Sequence, residues 1–135
     1  MGPLGNGFDL PSNIRRLGVV AMGDTVSRLL PLVDQATRAM VGVTLYTDLN
    51  IISLPTAVEV YPLSSLPEAL DWPDYLVFDL PVGRLDNLRQ VLSLAEGATL
   101  PCPAQVLVSA SMPCLGLGQC GACAIPGRRG WKLVC

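Results

Sequence analysis

Short, continuous apolar runs set the limits on what this chain can fold into. They are Leu17-Gly18-Val19-Val20-Ala21-Met22, Val43 to Tyr46, Ala57 to Tyr61, Asp74 to Asp79 (Asp-Tyr-Leu-Val-Phe-Asp) and Gln105 to Val108. Near-continuous apolar runs suit strands covered on both faces, the habit of parallel sheets. Segments with helical spacing lie between them. Val26 to Met40 puts Leu29, Leu30, Val33, Ala36 and Met40 on one side. Pro31 falls inside that pattern, so this helix is either kinked or starts near Leu30 with proline in its first turn. A short helical turn is expected around Pro67 to Leu70, and Leu85 to Ala95 reads as a second amphipathic helix that Gly97 stops. Strands alternating with helices predict an α/β fold built on a doubly wound parallel sheet.

With 135 residues there is material for one core and not for two full domains. Half of the residues are hydrophobic and 15% are charged, which is apolar for a domain of this size. No uninterrupted apolar stretch reaches the roughly 18 residues of a membrane helix, so the surplus points to doubly covered strands or to surfaces that meet other proteins. The net charge is −2 and the basic residues are scattered, which is no nucleic-acid footprint. The one basic cluster, Arg128-Arg129 with Lys132, reads equally as a solvated loop or as a docking patch. The N-terminus lacks the features of a signal peptide, and five cysteines without an export signal are expected in a reducing, cytoplasmic setting.

Four of those cysteines crowd the C-terminal end in the pattern C-x5-C-x2-C-x11-C: Cys114, Cys120, Cys123 and Cys135. Glycines at 116, 118 and 121 separate them, and glycine lets a backbone turn tightly and aim N–H groups at sulfur. Three chemistries compete. Thiolates this close, in a chain without histidine, best suit a sulfide-bridged iron cluster. A zinc site that stabilises an interaction or regulatory domain is the alternative, although zinc modules typically use two separated C-x2-C pairs and only Cys120 and Cys123 form one. Disulfides are disfavoured by the compartment. Cys102, between Pro101 and Pro103, stands outside the group as a small apolar loop residue. The absence of histidine also excludes a histidine general base.

Met112-Pro113-Cys114 through Cys120-Gly121-Ala122-Cys123, ending in Leu133-Val134-Cys135, resembles the cluster-binding segment of the electron-transfer subunit of the NAD-linked dihydroorotate dehydrogenases. The opening Gly2-Pro3-Leu4-Gly5-Asn6-Gly7-Phe8 is similar to the connector that follows that family's flavin-binding barrel. The resemblance implies a ferredoxin-reductase-type parallel sheet flanked by helices and followed by a small C-terminal iron–sulfur loop module. It divides the chain into a connector over 1–12, a degenerate nucleotide-binding-like α/β domain over 13–108 and a cluster module over 109–135. It implies a [2Fe–2S] cluster on Cys114, Cys120, Cys123 and Cys135. It also implies a role in passing electrons from a flavin or NAD(P)H donor to a flavoprotein like the FMN-bearing dihydroorotate dehydrogenase of pyrimidine biosynthesis.

The chain departs from the family's pattern in several places. Five residues separate its first two cluster cysteines where the family usually has four. The nucleotide turn reads Ala21-Met22-Gly23-Asp24-Thr25 in place of a glycine-rich loop, and Asp24 opposes pyrophosphate there. After the fourth strand, Asp79-Leu80-Pro81-Val82-Gly83 stands where the family has Cys-Gly-Pro. Gly23, Asp24 and Thr25 are therefore candidate nucleotide contacts on a degraded turn, and Gly5, Asn6 and Gly7 are candidate contacts in the connector. FAD belongs to the family's full-length arrangement, and this chain is not expected to hold it alone. No nucleic-acid or membrane partner is expected.

Overall fold

The computed structural model describes residues 7–51 and 53–135. The five apolar runs are five parallel strands: β1 (Arg16–Ala21), β2 (Gly42–Tyr46), β3 (Val58–Tyr61), β4 (Tyr75–Pro81) and β5 (Ala104–Ser109). They form one sheet in the order β3-β2-β1-β4-β5. β1 and β4 lie at its centre and are buried almost throughout, which is why their sequences do not alternate.

Each face has its own core. Leu17, Val19 and Ala21 of β1 meet Leu29, the residue before helix α1 (Leu30–Arg38), and Leu32, Val33 and Ala36 within it on one side. Val20 of β1 and Leu76, Phe78 and Leu80 of β4 meet Leu63, Leu66, Leu70 and Leu92 on the other. This second layer contains no long helix. It is two 3₁₀ turns, Leu63–Ser65 and Pro67–Ala69, together with the short helix α2 (Leu85–Val91). Phe8 and Leu10 pack against the first core, and the Asp9 N–H donates to Gln105 Oε1 at 3.0 Å, so the segment before β1 lies along the sheet. No helix among the described residues is long and apolar enough to cross a membrane.

Pro31 sits in the first turn of α1, where its missing N–H costs nothing, and the helix starts at Leu30 without a kink. Both helices stop earlier than their apolar spacing predicts. α1 ends with the Met40 N–H bonded to Thr37 O and the Val41 N–H to Ala36 O, and Met40 is left-handed at φ 60°. α2 ends in the same way, with Ser93 at φ 50°, so Gly97 belongs to a later turn and is not the helix stop.

A left-handed methionine is strained, and Met40 is 91% exposed, so its side chain contributes little packing. Met40→Gly should raise stability by about 0.5–1 kcal/mol, the relief of strain less the greater freedom of glycine in the unfolded chain. Thermal or urea unfolding measures this, and a destabilised variant would mean that the α1 terminus is held differently.

The segment after Cys123, expected to be a loop, contains an antiparallel hairpin: β6 (Ala124–Gly127) and β7 (Gly130–Leu133). Arg128 and Arg129 form its turn, and Gly130 supplies a φ of 104°.

Candidate functional site

The hairpin explains how sequence-distant cysteines meet. Cys123 immediately precedes β6 and Val134-Cys135 immediately follow β7, and Ala124 pairs with Leu133 across the ribbon. The Val134 N–H donates to Cys123 O at 3.1 Å, so the pairing continues one step past the strands. Cys135 is thereby delivered to Cys123. The N–H groups of Cys135 and Val134, with the Cys135 thiol, favour the Cys123 thiolate and lower its pKa. The Cys135 thiol is raised in turn, first by its hydrogen bond to Cys123, then by burial and the charges of Cys123 and Cys114.

The loop from Cys114 to Cys120 folds back on its first sulfur. Leu115, Gly116 and Gly118 are all left-handed, at φ 54°, 85° and 71°. Such reversals turn successive N–H groups inward. The N–H of Cys120, its thiol, and the N–H groups of Gln119 and Gly116 bear on the Cys114 sulfur and bring that thiol down to about 6. A Cβ at Gly118 would stand 3.3 Å from Leu133 Cδ1 on the hairpin, so this loop and β7 fit closely.

All four predicted cysteines lie after β5, and their thiols influence one another chiefly as Cys114 with Cys120 and Cys123 with Cys135, with the charge of Cys114 also felt at Cys135. Among the described residues no three or more Cys, Asp or Glu side chains converge as a ready single-ion site. Cys123 is 1% exposed, whereas Cys120 is open to solvent. Cys102 packs beneath the second core, and burial, then the charge of Asp74, pushes its thiol up. It takes no part in the pairs.

The crevice where nucleotides sit in doubly wound sheets lies at the carboxyl ends of β1 and β4, where strand order reverses. Gly23 and Asp24 line a small hollow there, with Asp48 and Arg84. Thr25 is exposed and engaged locally: its Oγ1 accepts the Ser27 N–H at 3.1 Å and lies 2.7 Å from Ser27 Oγ. Gly7 is exposed against β5, while Gly5 and Asn6 lie outside the described residues.

The crevice also holds a feature the sequence reading did not anticipate. Asp79, fully buried at the end of β4, is gripped by Arg28: Nε donates to Oδ2 at 3.0 Å and Nη2 stands 3.0 Å from Oδ1. The second contact is a charge contact without hydrogen-bond alignment, so Oδ1 has no directed donor. Arg28 Nη2 also stands 3.3 Å from where a Cβ on Gly23 would be. A cation of the chain itself therefore covers the degraded turn. An aspartate closing an apolar run was the available signal, because a buried carboxylate requires a partner. Beyond Arg28, a cleft of about 400 Å³ separates β5 from the hairpin, with Arg28 and Lys132 on its walls.

No known family model matches the chain, and no curated protein matches it significantly.

Proposed function

We propose that this chain is an electron-transfer module carrying a [2Fe–2S] cluster on Cys114, Cys120, Cys123 and Cys135. The observation that carries the reading is that the β6–β7 hairpin sets Cys135 beside Cys123 while a left-handed loop turns the chain back between Cys114 and Cys120. Two irons bridged by sulfide take two thiolates each, and the pairs here, Cys114 with Cys120 and Cys123 with Cys135, are not the two C-x2-C knuckles of a typical zinc module. N–H groups directed at sulfur are also the usual means by which a protein holds and tunes such a group. When bound, the cluster supplies one-electron transfer. The chain's own part is to position the thiolates, to shield the Cys123 sulfur from water and to leave the Cys120 side open.

The five-stranded parallel sheet is compatible with the ferredoxin-reductase-type domain that the resemblance implies. This chain alone holds neither FAD nor NAD in this reading, because Asp24 and the Arg28–Asp79 pair stand at the crevice a dinucleotide would need. The partner is a flavoprotein similar to the FMN-bearing dihydroorotate dehydrogenase, in the cytoplasm. After Glu96 the only charged side chains are Arg128, Arg129 and Lys132. Around them Leu117 is 70% and Trp131 74% exposed. A basic apolar surface beside the cysteines suits docking against an acidic face.

Protein purified without oxygen, after expression with a working cluster-assembly system, should contain about two irons and two sulfides per chain and be red-brown. Colourless protein with stoichiometric zinc would replace this reading with a zinc-stabilised interaction domain. Reversing Arg128, Arg129 and Lys132 to glutamate should slow reduction of the host's FMN-bearing dihydroorotate dehydrogenase by roughly tenfold or more at low salt, because rim charges act mainly on encounter. The visible spectrum should not change. An unchanged rate would remove the docking surface from the proposal.

A further inference from the structure

An aromatic, acidic cleft lies on the opposite side of the sheet centre from the cysteine module. Tyr46 at the end of β2 and Tyr61 at the end of β3 stack with ring centres 6.2 Å apart and an interplanar angle of 28°. They share one face of the sheet because Thr44 and Tyr46, and Glu59 and Tyr61, are two apart on neighbouring strands; Tyr46 is buried there and Tyr61 is 44% exposed. The layer over this face is only the 3₁₀ turn that carries Glu68 and Ala69, followed by Trp72. A cleft of about 450 Å³ remains, within the size range of small-molecule sites.

Its lining combines three aromatic rings with two carboxylates and no basic side chain. Glu59 is held by the Tyr61 hydroxyl, which donates to Oε2 at 3.3 Å. Among the described residues neither Glu59 nor Glu68 has an ion-pair partner, although Asp34, Asp74 and Asp79 each have an arginine. Tyr46 is only 3% exposed, yet it reaches the cleft, and no hydrogen bond among the described residues engages its hydroxyl. Burial, then the charges of Tyr61 and Glu59, push that hydroxyl's pKa up, so it remains a neutral donor and acceptor. Trp72 already has one cation near its ring, the Arg16 guanidinium 5.9 Å from the centroid, although Arg16 does not line the cleft.

We infer that this cleft binds an organic cation, an ammonium or guanidinium group on a short alkyl chain. The rings attract positive charge through their faces and cover the alkyl chain, and the carboxylates fix the charged end. A metal ion is a poor fit, because three aromatic walls offer it few oxygens, and an anion meets two carboxylates. The inference is independent of the cluster, so either can fail alone.

Agmatine, which carries guanidinium and ammonium on one short chain, is the probe. Trp131→Phe leaves Trp72 as the sole tryptophan, so its fluorescence reports on this cleft. Agmatine should bind the whole chain with a dissociation constant of about 1 mM or tighter. Neutral 1-pentanol, and sodium chloride at matched ionic strength, should leave the signal unchanged. Glu59→Gln with Glu68→Gln should weaken binding about tenfold, and Tyr61→Ala about fivefold, as loss of charge and of one ring require. Both glutamates are on the surface side of the cleft, so the glutamine variants test binding in a folded protein, which circular dichroism checks. A capped peptide with one arginine identifies the source: binding as tight as agmatine's supports a protein side chain, and much weaker binding supports a free amine. A dissociation constant above about 10 mM for both probes, pentanol binding as well as agmatine, or indifference to the glutamine pair would each overturn the inference.

Discussion

Cys123→Ser should abolish the visible absorption of the anaerobically purified protein, whereas Cys102→Ser should leave it intact. Cys123 is the most buried of the four paired thiols, and its sulfur meets N–H groups from Val134 and Cys135 and its own. Serine offers a hard oxygen that stays protonated near neutral pH, so it cannot replace a soft thiolate on iron. The hairpin would still form, because it rests on the backbone pairing of Ala124 with Leu133 and on the bond from Val134 to Cys123 O. The loss should therefore be specific to the metal, with the far-UV spectrum unchanged. Cys102 serves as the control because it lies against the second core, away from the thiol pairs. Full iron content in Cys123→Ser, or its loss in Cys102→Ser, would mean that the ligand set has been misassigned.

How much of this was legible in the residues follows from where each signal is physically strong. β1, β2 and β4 fall within about two residues of their apolar runs, because strands covered on both faces leave no choice of register or face. The closeness of the four cysteines was legible in their spacing, whereas the hairpin that sets Cys135 beside Cys123 was not. Nor were the helix ends. Met40 and Ser93 take left-handed turns without glycine, since the backbone bonds that close the helices outweigh the local strain, and composition does not register that balance. The β6–β7 hairpin was missed because its strands are short and exposed, and Pro126 argued against a strand. The alternation of Trp131 and Leu133 beside an Arg-Arg turn closed by Gly130 was the only cue. The aromatic cleft needs β2 and β3 side by side, a pairing no local pattern specifies.

For the Arg28–Asp79 pair the local pattern offered the aspartate but not its partner, and this pair carries the largest expected effect on stability. Asp79 is fully buried at the centre of the sheet, and its backbone carbonyl also accepts the Met22 N–H at 2.9 Å, so it cannot turn out to solvent without opening the end of β1. Arg28→Ala would strand that carboxylate in the core with one oxygen already lacking a directed donor. The cost should be about 3 kcal/mol, at the low end for breaking a buried pair, since the Arg28 side chain is itself 41% exposed. In a domain of this size that is a fall in Tm of roughly 10 °C. Asp79→Asn removes the buried charge and leaves an arginine that water can reach, so it should cost clearly less. Arg28→Lys should fall between them, because an ammonium keeps the charge and loses the planar fork that meets both oxygens. That ordering separates a structural clamp from general damage to the fold. If Asp79→Asn proved more destabilising than Arg28→Ala, the pair would owe its place to the hydrogen bonds of the aspartate and not to the need to neutralise it. The crevice would then be shaped by Asp79, with Arg28 free to leave it.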